Sequence, residues 1–225
     1  MSKPVEMTVF SDVLCVWAYV AQARENELRD QFADQLKITH RFINLFGDTE
    51  RRLGQGWKDK GGYDGFAKHV AHVCEDFPQV KLNPDCWTRI RPLSSANAHL
   101  VLKAVGYLEK QGQAEVGTLD QLAWNIRLAF FESARDVGDL KVVKQLAVDM
   151  GIDAALLQQA IDQGSAMAGL CEDAGLQQKL SVEGSPTYYM NQGRQKLFGN
   201  VGYRIIEANI QELLVKPEGD WASWC

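Results

Sequence analysis

The first apolar run of the chain, through Met7, Val9, Phe10, Val13 and Leu14, is short and β-prone, which predicts a buried strand. Beyond it Val16, Val20, Ala23, Leu28 and Phe32 recur at near-helical spacing while charge accumulates toward the end. An amphipathic helix beginning at Cys15 or Val16 is expected there. Ile38, His40 and Phe42 then alternate with Thr39, Arg41 and Ile43, the pattern of a second strand. Strand, helix and strand in this order make one βαβ unit.

The pattern changes after Gly47. Residues 48–62 are glycine-rich and read as a loop, 63–77 as a short helix, and 82–93 as irregular chain punctuated by Pro84 and Pro92. Helical periodicity then dominates. One segment runs from a serine cap before Ala96 to Gly112, and others span 119–133, 138–151, 153–164 and 167–180. Asp139 is the expected N-cap of the third segment and Gly151 its terminator. Strand character returns over 185–191 and 196–200, joined by a turn at 192–195, which predicts a hairpin. A last helix is expected over 203–214, and the tail 217–225 is expected to be loosely held. This order predicts one α/β domain from residues 1–46 and 181–216, interrupted by an all-helical insertion over 47–180.

Composition narrows the function classes. The 225 residues are 46% hydrophobic, enough for a sizeable core. A net charge of −5 with scattered basic residues argues against nucleic acid or an anionic membrane as partner. The N-terminal residues are too short and polar a stretch for a secretory signal, and no apolar run approaches the roughly 20 residues of a membrane span. Five cysteines, Cys15, Cys74, Cys86, Cys171 and Cys225, form no C-x-x-C pair. An odd count without an export signal reads as reduced thiols in a cytoplasm. Neither they nor the four histidines show metal-ligand spacing, so no metal is expected.

Two places carry candidate chemistry. Cys15 lies where the first strand hands over to the first helix, so its sulfur should face the helix's free N–H groups. The dipole there favours a thiolate and is expected to lower the thiol pKa. Three residues on, where a redox dithiol has its second sulfur, the chain has Ala18. Pro186 stands at the entry to a strand, where it cannot donate to a ladder. A cis proline in a turn would leave the Ser185 backbone open to an extended ligand.

The stretch Ser11-Asp12-Val13-Leu14-Cys15-Val16-Trp17-Ala18-Tyr19, with the later Gly184-Ser185-Pro186-Thr187, resembles the DsbA-like family of the thioredoxin superfamily. Within that family the match is closest to the FrnE-type branch, which includes 2-hydroxychromene-2-carboxylate isomerases and kappa-class glutathione transferases. The resemblance implies a thioredoxin-like α/β fold with a large helical insertion. Family members typically have proline where Val16 stands and cysteine where Ala18 stands. A dithiol enzyme escapes its mixed disulfide by attack of the second thiol, which Ala18 cannot provide. A mixed disulfide on Cys15 would wait for an outside thiol, and glutathione is the abundant one in a cytoplasm.

The resemblance also implies roles for neighbouring residues. Ser185 and Pro186 would form the peptide or glutathione edge, Trp17 would wall the site, and Asn200 at the start of the last helix would meet the γ-glutamyl end. Asp12 is placed to tune the thiol or to cap a turn, and Tyr19 to line the site or pack in the core. His99, on a helix the family sets over the site, is a candidate base or a packed residue. Cys74, Cys86 and Cys171 read as buried packing residues. Cys225 is a candidate remote resolving thiol or intermolecular partner.

These residues imply a cytosolic monothiol, glutathione-linked thiol–disulfide oxidoreductase or isomerase with Cys15 as nucleophile. Glutathione would be a co-substrate, with no tightly bound cofactor. The alternatives are an isomerase or transferase of the chromene-carboxylate or kappa type, whose members typically carry serine at position 15, and a non-catalytic thioredoxin-like binding module. Monomer and homodimer both remain open from the sequence.

Overall fold

The computed structural model describes residues 3–215. The chain runs β1 (Val5–Ser11), α1 (Val16–Phe32) and β2 (Leu36–Phe42), then α2 (Gly62–Glu75), α3 (Ala96–Lys110) and α4 (Thr118–Phe131). It continues through α5 (Leu140–Asp149), α6 (Ala154–Asp162) and α7 (Ser165–Lys179) to β3 (Thr187–Met190), β4 (Gln195–Phe198) and α8 (Tyr203–Val215). The strands form one sheet in the order β2-β1-β3-β4. The β1–β2 pair is parallel, joined by the crossover through α1, and the other two pairs are antiparallel.

Alternation along β1 sends Val5, Met7 and Val9 to one face, where they pack on Leu28 and Phe32 of α1 and Ile206 and Ile210 of α8. Six helices intervene between β2 and β3 and share a core around Trp87, Leu102, Ile126 and Phe130. That core is continuous with Val13, Leu14 and Tyr19 at the β1–α1 junction.

Two buried carboxylates tie the helices to the sheet. Asp173 of α7, fully buried, accepts from the Phe42 N–H at 2.9 Å, from Arg41 Nη1 at 2.8 Å, and from Lys103 Nζ at 2.9 and 2.8 Å. It closes the outer edge of β2 with a side chain instead of a further strand. Asp12 does the same for the β1–α1 turn.

Three expectations change. Residues 48–62 are not plain loop: a π-helical turn spans Glu50–Gln55 and a 3-10 turn Lys58–Lys60, organised around fully buried Leu53. At the start of α3, Ser95 holds the cap position without capping. Its hydroxyl donates to Asp12 Oδ2 at 2.8 Å, and Ser94 Oγ takes the Ala96 N–H instead at 3.0 Å. Cys171 is exposed, because it lies on the outer face of α7, whereas Cys74 and Cys86 are buried. Asp139 caps α5 by accepting the Lys141 N–H at 2.8 Å, and Gly151 has a φ of 90°. Cys225 and the tail 217–225 lie outside the described residues.

Candidate functional site at the Cys15 turn

Cys15 is the N-cap residue of α1, with an extended backbone (φ −82°, ψ 117°). The turn that presents it is set by Asp12. The Asp12 carbonyl accepts the Cys15 N–H at 3.1 Å, and Asp12 Oδ1 accepts the Leu14 N–H at 2.9 Å, an Asx turn. Asp12 Oδ2 accepts from the Phe46 N–H at 2.8 Å as well as from Ser95. This fully buried carboxylate therefore joins β1, the chain after β2 and α3. It organises the turn through backbone amides.

Opposite the turn, the Ser185–Pro186 peptide is cis. Ser185 Oγ accepts the Asp12 N–H at 3.0 Å, and the Ser185 carbonyl accepts from Cys15 Sγ at 3.3 Å. The Pro186 carbonyl accepts the Gly199 N–H at 2.9 Å, fastening this segment to the end of β4. At Gly184 a Cβ would stand 2.4 Å from Phe198 Cε2, so a larger residue there would displace the exposed Phe198 ring.

The thiol differs from the sequence expectation in its electrostatics. Cys15 is 3% exposed. Burial pushes its pKa above the ordinary thiol range, and the Asp12 carboxylate adds to the rise. The Ser185 hydroxyl and the Ala18 and Trp17 amides at the helix N-terminus pull the other way and are outweighed. Desolvating a thiolate costs more than a helix end returns. A groove of about 800 Å³ opens elsewhere, at the outer edge of β2, lined by Arg41, Lys103 and Asp120 and not by Cys15.

The other expected residues divide. Ser185 and Pro186 meet Cys15. Ala18 is buried on the first turn of α1, its N–H bonded to the Cys15 carbonyl at 3.1 Å. Trp17 is half-buried, with His69 and Phe77 edge-on to its indole at 6.3 and 6.4 Å between centroids.

Tyr19 does not line the site. It is fully buried, stacked on Phe131 and Trp124, and its hydroxyl donates to the Lys81 carbonyl at 2.9 Å and Glu132 Oε1 at 3.2 Å. Helical spacing turns it a half-turn past Trp17, into the helical core. Asn200 is exposed at the start of α8, with Oδ1 taken by Arg24 Nη2 at 2.6 Å.

His99 lies close to the turn as a packed residue. It is fully buried against Phe42, and its Nε2 accepts the Val13 N–H at 3.3 Å, which places the ring proton on Nδ1. Burial holds its pKa down, so it is neutral, and the lone pair a base would use is already engaged. Sequence reasoning missed Arg127, buried and donating to Ser11 Oγ at 2.9 Å, and read Ser11 only as the first residue of the motif. Arginine on an amphipathic helix carries no signal of burial.

The comparisons bear on the fold. A model of the DsbA-like thioredoxin domain matches residues 6–211, and the chain belongs to that family. A search of curated proteins returns no match. Among solved structures, a candidate protein disulfide isomerase from Nitrosomonas europaea superposes with a TM-score of 0.71 at 16% identity, covering 96% of this chain and 100% of its own. The cytosolic disulfide reductase DsbM from Pseudomonas aeruginosa gives 0.67 at 17% identity over 92% and 99%. A 2-hydroxychromene-2-carboxylate isomerase gives 0.63 at 14% identity over 97% and 100%. At these identities the likeness is one of fold.

Proposed function

We propose that this protein is a monothiol, glutathione-linked thiol–disulfide oxidoreductase or isomerase acting through Cys15 in a reducing compartment. The observation that carries the reading is the contact between Cys15 Sγ and the Ser185 carbonyl before Pro186, with Ala18 where a resolving thiol would stand. The DsbM fold neighbour, also solved with glutathione, supports it.

In the proposed cycle the Cys15 thiolate attacks the glutathione sulfur of a mixed disulfide R–S–S–G. The new bond joins Cys15 to glutathione, and R–S⁻ departs with the electron pair and takes up a proton. A second glutathione thiolate then attacks the glutathione sulfur on Cys15, forming glutathione disulfide and regenerating the Cys15 thiolate. Each step exchanges one S–S bond for another, and overall one glutathione reduces R–S–S–G to R–SH, leaving as glutathione disulfide. Attack requires Cys15 to leave the Ser185 carbonyl, which frees that carbonyl to bind the substrate's backbone.

Incubation with oxidised glutathione followed by mass spectrometry tests this. A single adduct on Cys15, released by reduced glutathione and absent in Cys15→Ser, is the expected result. No adduct at any pH up to the thiol's titration would refute it.

The 3% exposure of Cys15 favours a second reading, a non-catalytic binding module in which Cys15 is a packing residue. That reading expects Cys15→Ser to leave partner binding intact. The isomerase reading gains nothing from His99, whose Nε2 is engaged by the Val13 amide.

A further inference from the structure

Beneath the Cys15 turn, between α1 and the sheet, lies a layer of polar side chains inside an otherwise apolar core. Val9 of β1 is aligned with His40 of β2 on one side and with Tyr188 of β3 on the other. Ser11 is two residues further along the same face of β1, toward Cys15. Glu25 enters from α1 and Arg127 from α4, and all five residues are buried. Glu25 Oε2 lies 3.4 Å from His40 Nε2. Among the described residues, Arg127 Nε, Tyr188 OH and His40 Nδ1 have no hydrogen-bond partner.

Arg127 is the exceptional member. A guanidinium carries five donors and stays protonated in proteins. Here its Nη2 bonds to Ser11 Oγ, and Glu25 directs its carboxylate to His40. The buried carboxylates Glu25 and Asp12 offset part of its charge, yet its Nε stays without a hydrogen-bond partner, so a further negative charge developing beside it is favoured. The Ser11 tether sets it at the strand end from which the Cys15 turn springs. The chain of contacts continues from Ser11 through Asp12 to Ser185 Oγ, and from the Ser185 carbonyl to Cys15 Sγ.

We propose that Arg127 is the positioning cation for the Cys15 thiolate, a buried guanidinium held by Ser11 that compensates the charge formed when Cys15 ionises. The inference rests on the reading of Cys15 as nucleophile. It supplies what that reading lacks: a means for a thiol 3% exposed to carry charge at all. Burial lowers the Arg127 pKa, and the charges of Glu25, Cys15, Asp12 and Tyr188 counter that lowering.

The test is the Cys15 pKa, read from the titration of its ¹³Cβ chemical shift in labelled protein, which needs neither substrate nor access to the sulfur. Glutathione-adduct formation can therefore fail without affecting this measurement, and the two outcomes are separable. Arg127→Gln should raise the pKa by roughly one unit or more, about tenfold less thiolate near neutrality, whereas Arg127→Lys should stay close to wild type. An unchanged pKa in folded Arg127→Gln would overturn the proposal. Should that variant fail to fold, Ser11→Ala, which releases the guanidinium without removing it, should raise the pKa by several tenths. No change there overturns the proposal equally.

Discussion

Cys15 Sγ and the Ser185 carbonyl oxygen, 170 residues apart in sequence, lie 3.3 Å apart. The contact joins the N-terminus of α1 to the segment that opens β3, and it makes the thiol both buried and oriented. Four expectations follow from it and from the side chains that build it.

Ala18 lies one helical turn after Cys15, with its N–H on the Cys15 carbonyl. Ala18→Cys therefore sets a second sulfur where a first-turn dithiol closes, and it should form an intramolecular disulfide under mild oxidation. Mass spectrometry should show the loss of two hydrogens, and the glutathione adduct expected on wild-type Cys15 should be replaced by this internal bond. Persistence of the adduct in Ala18→Cys would show that the sulfurs do not meet.

Asp12 supports the Cys15 turn with its whole carboxylate, taking Leu14 N–H, Phe46 N–H and Ser95 Oγ–H. Asp12→Ala leaves these buried donors unpaired and should destabilise the fold by about 3–5 kcal/mol. Urea unfolding followed by far-UV circular dichroism measures it. A loss below about 1 kcal/mol would mean that water replaces the carboxylate.

Asp173 closes the β2 edge through Phe42, Arg41 and Lys103. Asp173→Leu removes the acceptor and strands Lys103, whose side chain is 11% exposed, so a loss of about 3–5 kcal/mol is expected. Hydrogen exchange at the Phe42 amide should speed up in the same variant. Unchanged exchange there would mean that the edge is protected by other groups.

The buried histidines make stability fall with acid. Burial lowers the His40 pKa from 6.5 to about 4, against the opposing pull of Glu25. Between these values the unfolded chain binds a proton that the folded protein refuses, so stability is full above pH 6.5 and declines as pH falls toward 4. The loss from His40 amounts to roughly 3 kcal/mol, and His99, also lowered by burial, adds in the same direction. Urea midpoints measured from pH 7 down to 4.5 check it. His40→Gln should flatten the decline, and an equally steep decline in that variant would remove His40 as its source.

By itself the sequence determined the βαβ opening, the helical block, the β3–β4 hairpin and the place of Cys15 at the start of α1. Those features depend on local periodicity, on caps such as Asp139 and on breakers such as Pro186, all readable within a few turns of chain. It also brought together Cys15, Ser185 and Pro186 through their motif resemblance.

Tertiary structure alone decided the charge state of the site. Whether a helix N-terminus lowers a thiol's pKa depends on how much water remains at the sulfur, and burial by Ser185 and the helical core outweighs the dipole at Cys15. The same holds for Tyr19, claimed by the core through Phe131, and for His99, claimed by the Val13 amide. Ser95 was legible as a helix-start serine but not as a donor to Asp12, 83 residues away. Arg127 was not legible at all, because the polar layer it enters is assembled from five separate elements, and burial of a charge is a property of that assembly.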